Sequence, residues 1–365
     1  MSIGSRQCYD LAEFRDLTKA PFRTLCVLLI LVLSAEHATH AQSLAFGLFE
    51  RYLEPLRVQA GIPGLAAAIS QNGRVVWESG LGFADAERSI RVQPDTPFFI
   101  ADLSQTLGAT LVMQRIEQGD FELEDRIARW TARVPETGAT VRNVLTHTTT
   151  GLYQYAPDRF AALTPAIEFY TKEPYRLTLA REVLERLAMR NSAPGDDLQN
   201  PTPFIRELFD ADDLERYQSV VRRMAVPYRV DGRGRAVRSE VPQPSVIDAS
   251  TGLVTTVRDL VQFDAGLDEG ILLDRDVLRQ MRGGAQAGTP TGLGWFVQSF
   301  NGELLVWHFG IARGAYSSLI LKVPSRNLTL ILLANSDGLN EPFALDRGDV
   351  TTSLFAKLFL RIFLS

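Results

Sequence analysis

Strand-forming sequence lies at the two ends of this chain and hardly at all between them. Near the start, Gly64–Ser70 and Arg74–Ser79 flank Gln71-Asn72-Gly73, and Asn-Gly accepts the positive φ angles of a tight type I′ hairpin turn. Near the end, Gly294–Phe300, Leu304–His308, Ala315–Val323 and Leu328–Ala334 are strand-like, punctuated by Asn301-Gly302 and by Pro324–Asn327. Between them, Leu103–Glu117, Leu177–Met189 and Pro203–Met224 carry helical periodicity, as do an opening segment, Ser43–Arg57, and a closing one, Thr352–Phe363. Such a chain builds one antiparallel sheet from both termini and inserts a helical region between the halves. The expected class is α/β, an antiparallel sheet flanked by helices. Its sheet region covers about residues 42–101 and 290–365, and its mainly helical region about 102–289. A ligand cleft is expected where the two regions meet.

The first 41 residues read as a targeting leader. Arg15, Lys19 and Arg23 precede the apolar run Leu25–Leu33, and Thr39-His40-Ala41 offers a small-residue cleavage site before Gln42. The protein is therefore expected to be exported, periplasmic or secreted, with membrane attachment only if the leader stays uncleaved. Both cysteines, Cys8 and Cys26, fall in the leader, so the remaining chain has no disulfide and must be held by its core. The leader also takes His37 and His40, leaving His147 and His308, too few and too far apart to suggest a zinc site. Beyond the leader, 34 basic residues face 39 acidic ones, and no basic stretch points to nucleic acid. No phosphate-binding glycine loop and no Gly-x-Ser-x-Gly occur, and no metal or cofactor is expected.

Five strings, in order, carry a family resemblance: Ile62–Gly73, Thr96–Ile100, Val141–Gly151, Thr251–Leu260 and Trp307–Gly310. Together they resemble the serine β-lactamases, penicillin-binding DD-peptidases and related esterases, nearest the class C branch, over nearly all of residues 44–362. The resemblance implies the β-lactamase/DD-peptidase fold and an acylating serine at a helix start with a lysine three residues later. It also implies a Tyr-x-Asn or Ser-x-Asn beside them, and a third motif after which a backbone N–H helps form an oxyanion hole.

Two of the three motifs are degenerate. Following Phe98–Ala101, the serine position is Asp102 and the lysine position Gln105. A shifted alignment does not restore the pair. The lysines beyond the leader are Lys172, Lys322 and Lys357, and three residues before them stand Phe169, Leu319 and Leu354. Ser104 is nearby, but two positions along a helix turn its side chain by roughly 200° from that of Asp102. Asp102 and Gln105 have the spacing of a helix capping box, which explains them structurally. After Pro194-Gly195 the second motif would fall on Asn200 and Thr202, and neither residue matches it. The third motif survives best, as His308-Phe309-Gly310, with Ile311 supplying the N–H. His147 is expected to bond loop backbone.

These residues predict a non-catalytic protein of the family. Asp102, Gln105, His308, Phe309, Gly310 and Ile311 would line a groove for a peptide, a cell-wall fragment or a small ester or amide. An acidic Asp102 at its floor favours ligands that are neutral or cationic there. Two alternatives stand beside it: a working hydrolase using Asp102 as a base or Ser104 as a displaced nucleophile, and a structural or partner-binding protein whose cleft is closed.

Overall fold

The computed structural model describes residues 43–240, 247–284 and 288–364; the leader lies outside them. Residues 43–59 form a helix, and residues 52–365 make one compact unit that carries the sheet and the groove. The strands are β1 (Gly64–Gln71), β2 (Arg74–Asp85), β3 (Ile90–Arg91), β4 (Phe98–Phe99), β5 (Tyr228–Val230), β6 (Ala236–Arg238), β7 (Val254–Thr255), β8 (Phe296–Phe300), β9 (Glu303–Ala312), β10 (Tyr316–Val323) and β11 (Leu328–Ala334). Seven of them form the main sheet in the order β3-β2-β1-β11-β10-β9-β8.

The two ends of the chain meet at the β1–β11 seam, where an antiparallel register runs from Leu65↔Ala334 to Gln71↔Leu328. The turns follow the residues that make them: Asn72 (φ 51°) with Gly73 (φ 72°), and Asn301 (φ 50°) with Gly302 (φ 81°), take the left-handed conformations that Asn and Gly tolerate best. β10 and β11 are buried along their whole length and β1 at every residue but its last, so both faces of the sheet centre are covered. The middle of the chain is mostly helical but holds two small two-stranded sheets, β4–β7 and β5–β6. The stretch Pro203–Met224 is not one helix. Asp210 accepts the Asp213 N–H at 2.8 Å and caps a new helix, Ala211–Arg222, after the short one at Pro203–Glu207.

A buried ionic cluster joins helix Val257–Asp268 to the sheet. Lys322 of β10 reaches both carboxylate oxygens of Asp264 at 2.8 and 2.7 Å and Asp268 at 2.6 Å, while the Thr329 hydroxyl donates to Asp264 at 2.7 Å. Burial alone would raise the Asp268 carboxyl, but Lys322 and Arg282 hold it below its ordinary value. Removing one partner of such a pair strands a buried charge. Lys322→Met is therefore expected to lower unfolding stability by about 3 kcal/mol, read as a shift in the denaturant midpoint. A loss under about 1 kcal/mol would show that the cluster does not hold the helix.

Candidate functional site

The site begins where strand β4 ends. Ala101, a non-glycine residue, is held at φ 50°, and a 3-10 turn, Ala101–Ser104, then leads into the buried helix Gln105–Glu117. A residue held in this sparsely populated region costs of order 1 kcal/mol and persists only where its surroundings impose it. Here the Ile100 N–H donates to Leu253 O at 3.1 Å, and the Ser318 hydroxyl of β10 donates to Ile100 O at 2.8 Å. The turn also lies directly on β9: a Cβ at Gly310 would stand 2.1 Å from Ile100 O and 2.7 Å from Leu103 N, so only glycine fits. Asn340 completes the clamp, donating to Gly310 O at 2.9 Å and to Ser318 O at 2.8 Å.

Asp102, projecting from this turn, does not cap a helix. Neither the turn nor the helix after it has a side-chain cap, and the capping box in this part of the chain belongs to Thr140 and Asn143 instead. The Asp102 carboxyl lines the groove, with the Tyr155 hydroxyl and the Ile311 backbone N–H as the neighbouring donors that favour its charged form. Burial pushes it up to about 7, against those two donors; Asp158 adds to the rise and Arg313 opposes it. Tyr155 is itself driven well above its ordinary value, first by burial and then by Asp102, and remains a protonated donor. Gln105 donates to the Tyr155 hydroxyl through a long contact of 3.4 Å. Its own Oε1, fully buried, has no partner among the described residues.

Two cavities meet at Asp102. One, of about 680 Å³, is bordered by Tyr155, Phe309, Arg313, Asn340, Glu341 and Asp346; the other, of about 440 Å³, by Phe99, Arg133, Asp248 and Thr251. They share Asp102, Pro157, Asp158 and Ile311. Carboxylates outnumber guanidinium groups along this groove, and Arg313 is paired with Glu341.

The sequence-derived residues divide. Asp102, Phe309 and Ile311 line the groove, Gly310 supports it from beneath, and Gln105 reaches it through Tyr155. His308, by contrast, does not line the groove. Strand β9 runs on to Ala312, leaving this histidine mid-strand and 1% exposed, its Nδ1 2.7 Å from Phe309 O, an acceptor to which it must donate. Burial pushes His308 down to about 4, so it is neutral. His147 is likewise neutral, pushed down to about 3 by burial and by His308, and its Nδ1 accepts the Ala156 N–H at 3.2 Å. Asn200 and Thr202 are exposed and line neither cavity; Thr202 caps Pro203–Glu207. Just before them, Asp197 takes both arms of Arg176 at 2.7 Å. Ser104 is buried, and its hydroxyl accepts the Leu253 N–H at 3.3 Å.

Tyr155 is the missed residue nearest Asp102; Asp158, Arg313 and Asn340 also line the groove without having been predicted. Tyr155 comes from the loop after His147, where no Tyr-x-Asn marks it, and its ring packs on His147 at 4.7 Å and on Phe309 at 5.1 Å. Among the described residues no cluster of His, Cys, Asp or Glu could hold a metal ion.

An antiparallel sheet fed from both termini, a helical insert, and a groove beside a helix that starts on a strained residue define the architecture of serine β-lactamases and penicillin-binding proteins. A sequence model of the Beta-lactamase family matches residues 49–351, and the chain belongs to that family. It is similar to the putative penicillin-binding protein PbpX of Bacillus subtilis, 21% identical over 63% of this chain and 61% of that one. It also resembles the human mitochondrial serine beta-lactamase-like protein LACTB, 27% identical over 29% of this chain but only 20% of that protein. The chain thus spans under two thirds of these relatives. Among solved structures, the octameric penicillin-binding protein homologue of Pyrococcus abyssi superposes with a TM-score of 0.69 at 20% identity, over 86% of this chain and 77% of that one. The D-amino acid amidase of Ochrobactrum anthropi gives 0.63 at 19% identity, over 82% and 97%. Both establish the α/β, β-lactamase/DD-peptidase-like fold.

A carboxyl that titrates near 7 when folded, against 3.8 ordinarily, keeps a proton that the unfolded chain has released at intermediate pH. Its contribution therefore favours the folded state at low pH and is lost as pH rises from about 4 to 7. His147 and His308, with lowered values, work in the opposite direction. The difference in stability between Asp102→Asn and the parent isolates the Asp102 share. It is expected to turn in favour of the variant as pH rises from 4 to 8 in denaturant titrations, and a difference independent of pH would contradict this assignment.

Proposed function

We propose that this chain is a non-catalytic member of the β-lactamase family, exported to the periplasm or secreted, whose groove binds a peptide or cell-wall-like fragment without acylating it. The observation that carries this reading is Asp102 at the head of the groove with the Ile311 N–H facing it. Acylation needs an oxygen nucleophile that a neighbouring base can deprotonate and a donor left vacant for the developing oxyanion. Asp102 supplies no hydroxyl nucleophile, the amide of Gln105 cannot serve as a base, and the donor is already turned toward a carboxyl group.

The chemistry of the groove supports a ligand that brings donors. Asp102, Asp158, Asp248, Glu341 and Asp346 stand against Arg133 and Arg313. Asn340, 2% exposed, has an Oδ1 without a partner among the described residues. A ligand with N–H groups, neutral or cationic, satisfies both features; a carboxylated one meets repulsion.

A second reading, an active hydrolase, has one observation in its favour: a carboxyl near 7 is matched to general-base catalysis at neutral pH. Ser104 is a poor substitute nucleophile because it is buried and bonded to backbone. The cavities on either side of Asp102 speak against a cleft filled by its own side chains.

Incubation of the purified protein with a chromogenic ester and with a chromogenic β-lactam separates the first two readings. No turnover above that of Asp102→Ala is expected. Turnover that disappears in Asp102→Ala or in Ser104→Ala would establish a working enzyme. In the same preparation, equilibrium dialysis should retain a cationic dipeptide amide in preference to the carboxylated β-lactam; the reverse order would contradict the charge argument.

A further inference from the structure

A separate cavity of about 470 Å³ opens beside β3, at the edge of the sheet remote from β8 and β9. Four arginines border it: Arg88 and Arg91 from the β2–β3 hairpin, and Arg222 and Arg223 from the end of helix Ala211–Arg222. Two carboxylates, Asp85 and Asp95, share the lining.

Four guanidinium groups against two carboxylates leave the pocket with an excess of positive charge, and Asp85 is largely covered. It is 4% exposed and accepts the N–H groups of Glu87 and Arg88 at 3.1 and 3.0 Å, and its nearest guanidinium contact, with Arg88, is a long 3.7 Å. Arg91 lies over the Phe83 ring, 4.5 Å from its centre. Arg223 donates to a neutral partner, Asn191 Oδ1, at 3.0 Å. Arg222 has no ion pair among the described residues. Guanidinium groups gathered on one pocket repel one another, and an anion between them removes that cost. The planar fork of arginine also matches phosphate and carboxylate oxygens. Ile90, Pro97, Met224 and Val226 add apolar surface for a carbon skeleton, and the volume is that of a small-molecule site. The chain as a whole carries a net charge of −5, so general attraction of anions does not explain such a patch.

We infer that this pocket is a second ligand site, for a small molecule bearing two or more phosphate or carboxylate groups. It is independent of the Asp102 groove, and neither assignment rests on the other.

Calorimetric titration of the purified protein with pyrophosphate and, separately, with citrate tests the site. Saturable one-to-one binding of at least one probe is expected; pyrophosphate alone would assign it to phosphates and citrate alone to carboxylates. The double variant Arg91→Ser/Arg222→Ser should weaken binding about tenfold or more, while Asp158→Asn in the groove should leave it unchanged. Thermal melts check that each variant folds, and Arg222→Gln alone, an exposed substitution, serves if the double variant does not. Failure of both probes to saturate would overturn the inference, as would binding that is undiminished in the folded arginine variants.

Discussion

The absent side chain at Gly310 sets the geometry of everything around the groove. Because β9 carries no Cβ there, the turn at residues 100–103 can lie directly on the strand, with Ile100 O tied to the Ser318 hydroxyl and Gly310 O tied to Asn340. That contact forces Ala101 into its left-handed conformation and aims Asp102 toward Ile311, one residue beyond the glycine. The arrangement is a scaffold for chemistry at a helix start.

A carboxyl at this position sets the electrostatics of the groove. A carboxylate in so desolvated a place is costly, so the group shifts toward its protonated form, and the Tyr155 hydroxyl and the Ile311 N–H recover part of the cost. The two histidines nearby stay neutral for the same reason, burial, and add no positive charge to balance Asp102. The groove is left with excess acidic character, whereas the β3 edge of the same molecule gathers arginines.

The sheet was legible because its signals are local. Asn72-Gly73 and Asn301-Gly302 mark hairpins by their own backbone preferences, and the strands around them alternate or run apolar accordingly. Asp102, Gln105 and Ile311 could be placed because the order of family strings carries them. What could not be read depended on contacts distant in sequence. Tyr155 enters the site from a loop with no motif, held by ring packing on His147 and Phe309. His308 is drawn into the sheet because β9 continues past it, a length set by pairing with β10 from Lys322↔Val306 to Tyr316↔Ala312. Asn200 and Thr202 lie exposed after the Arg176–Asp197 pair, and the break before Ala211 comes from an Asp210 cap inside an otherwise helical pattern.

The central claim is that the Asp102 carboxyl faces the Ile311 N–H. The amide resonance of Ile311, followed by NMR in a ¹⁵N-labelled sample from about pH 5 to 9, reports on that contact directly. A single titration with a midpoint near 7, absent from the Asp102→Asn protein, is the predicted result. An Ile311 amide that does not respond to pH, or that titrates unchanged in Asp102→Asn, would contradict it.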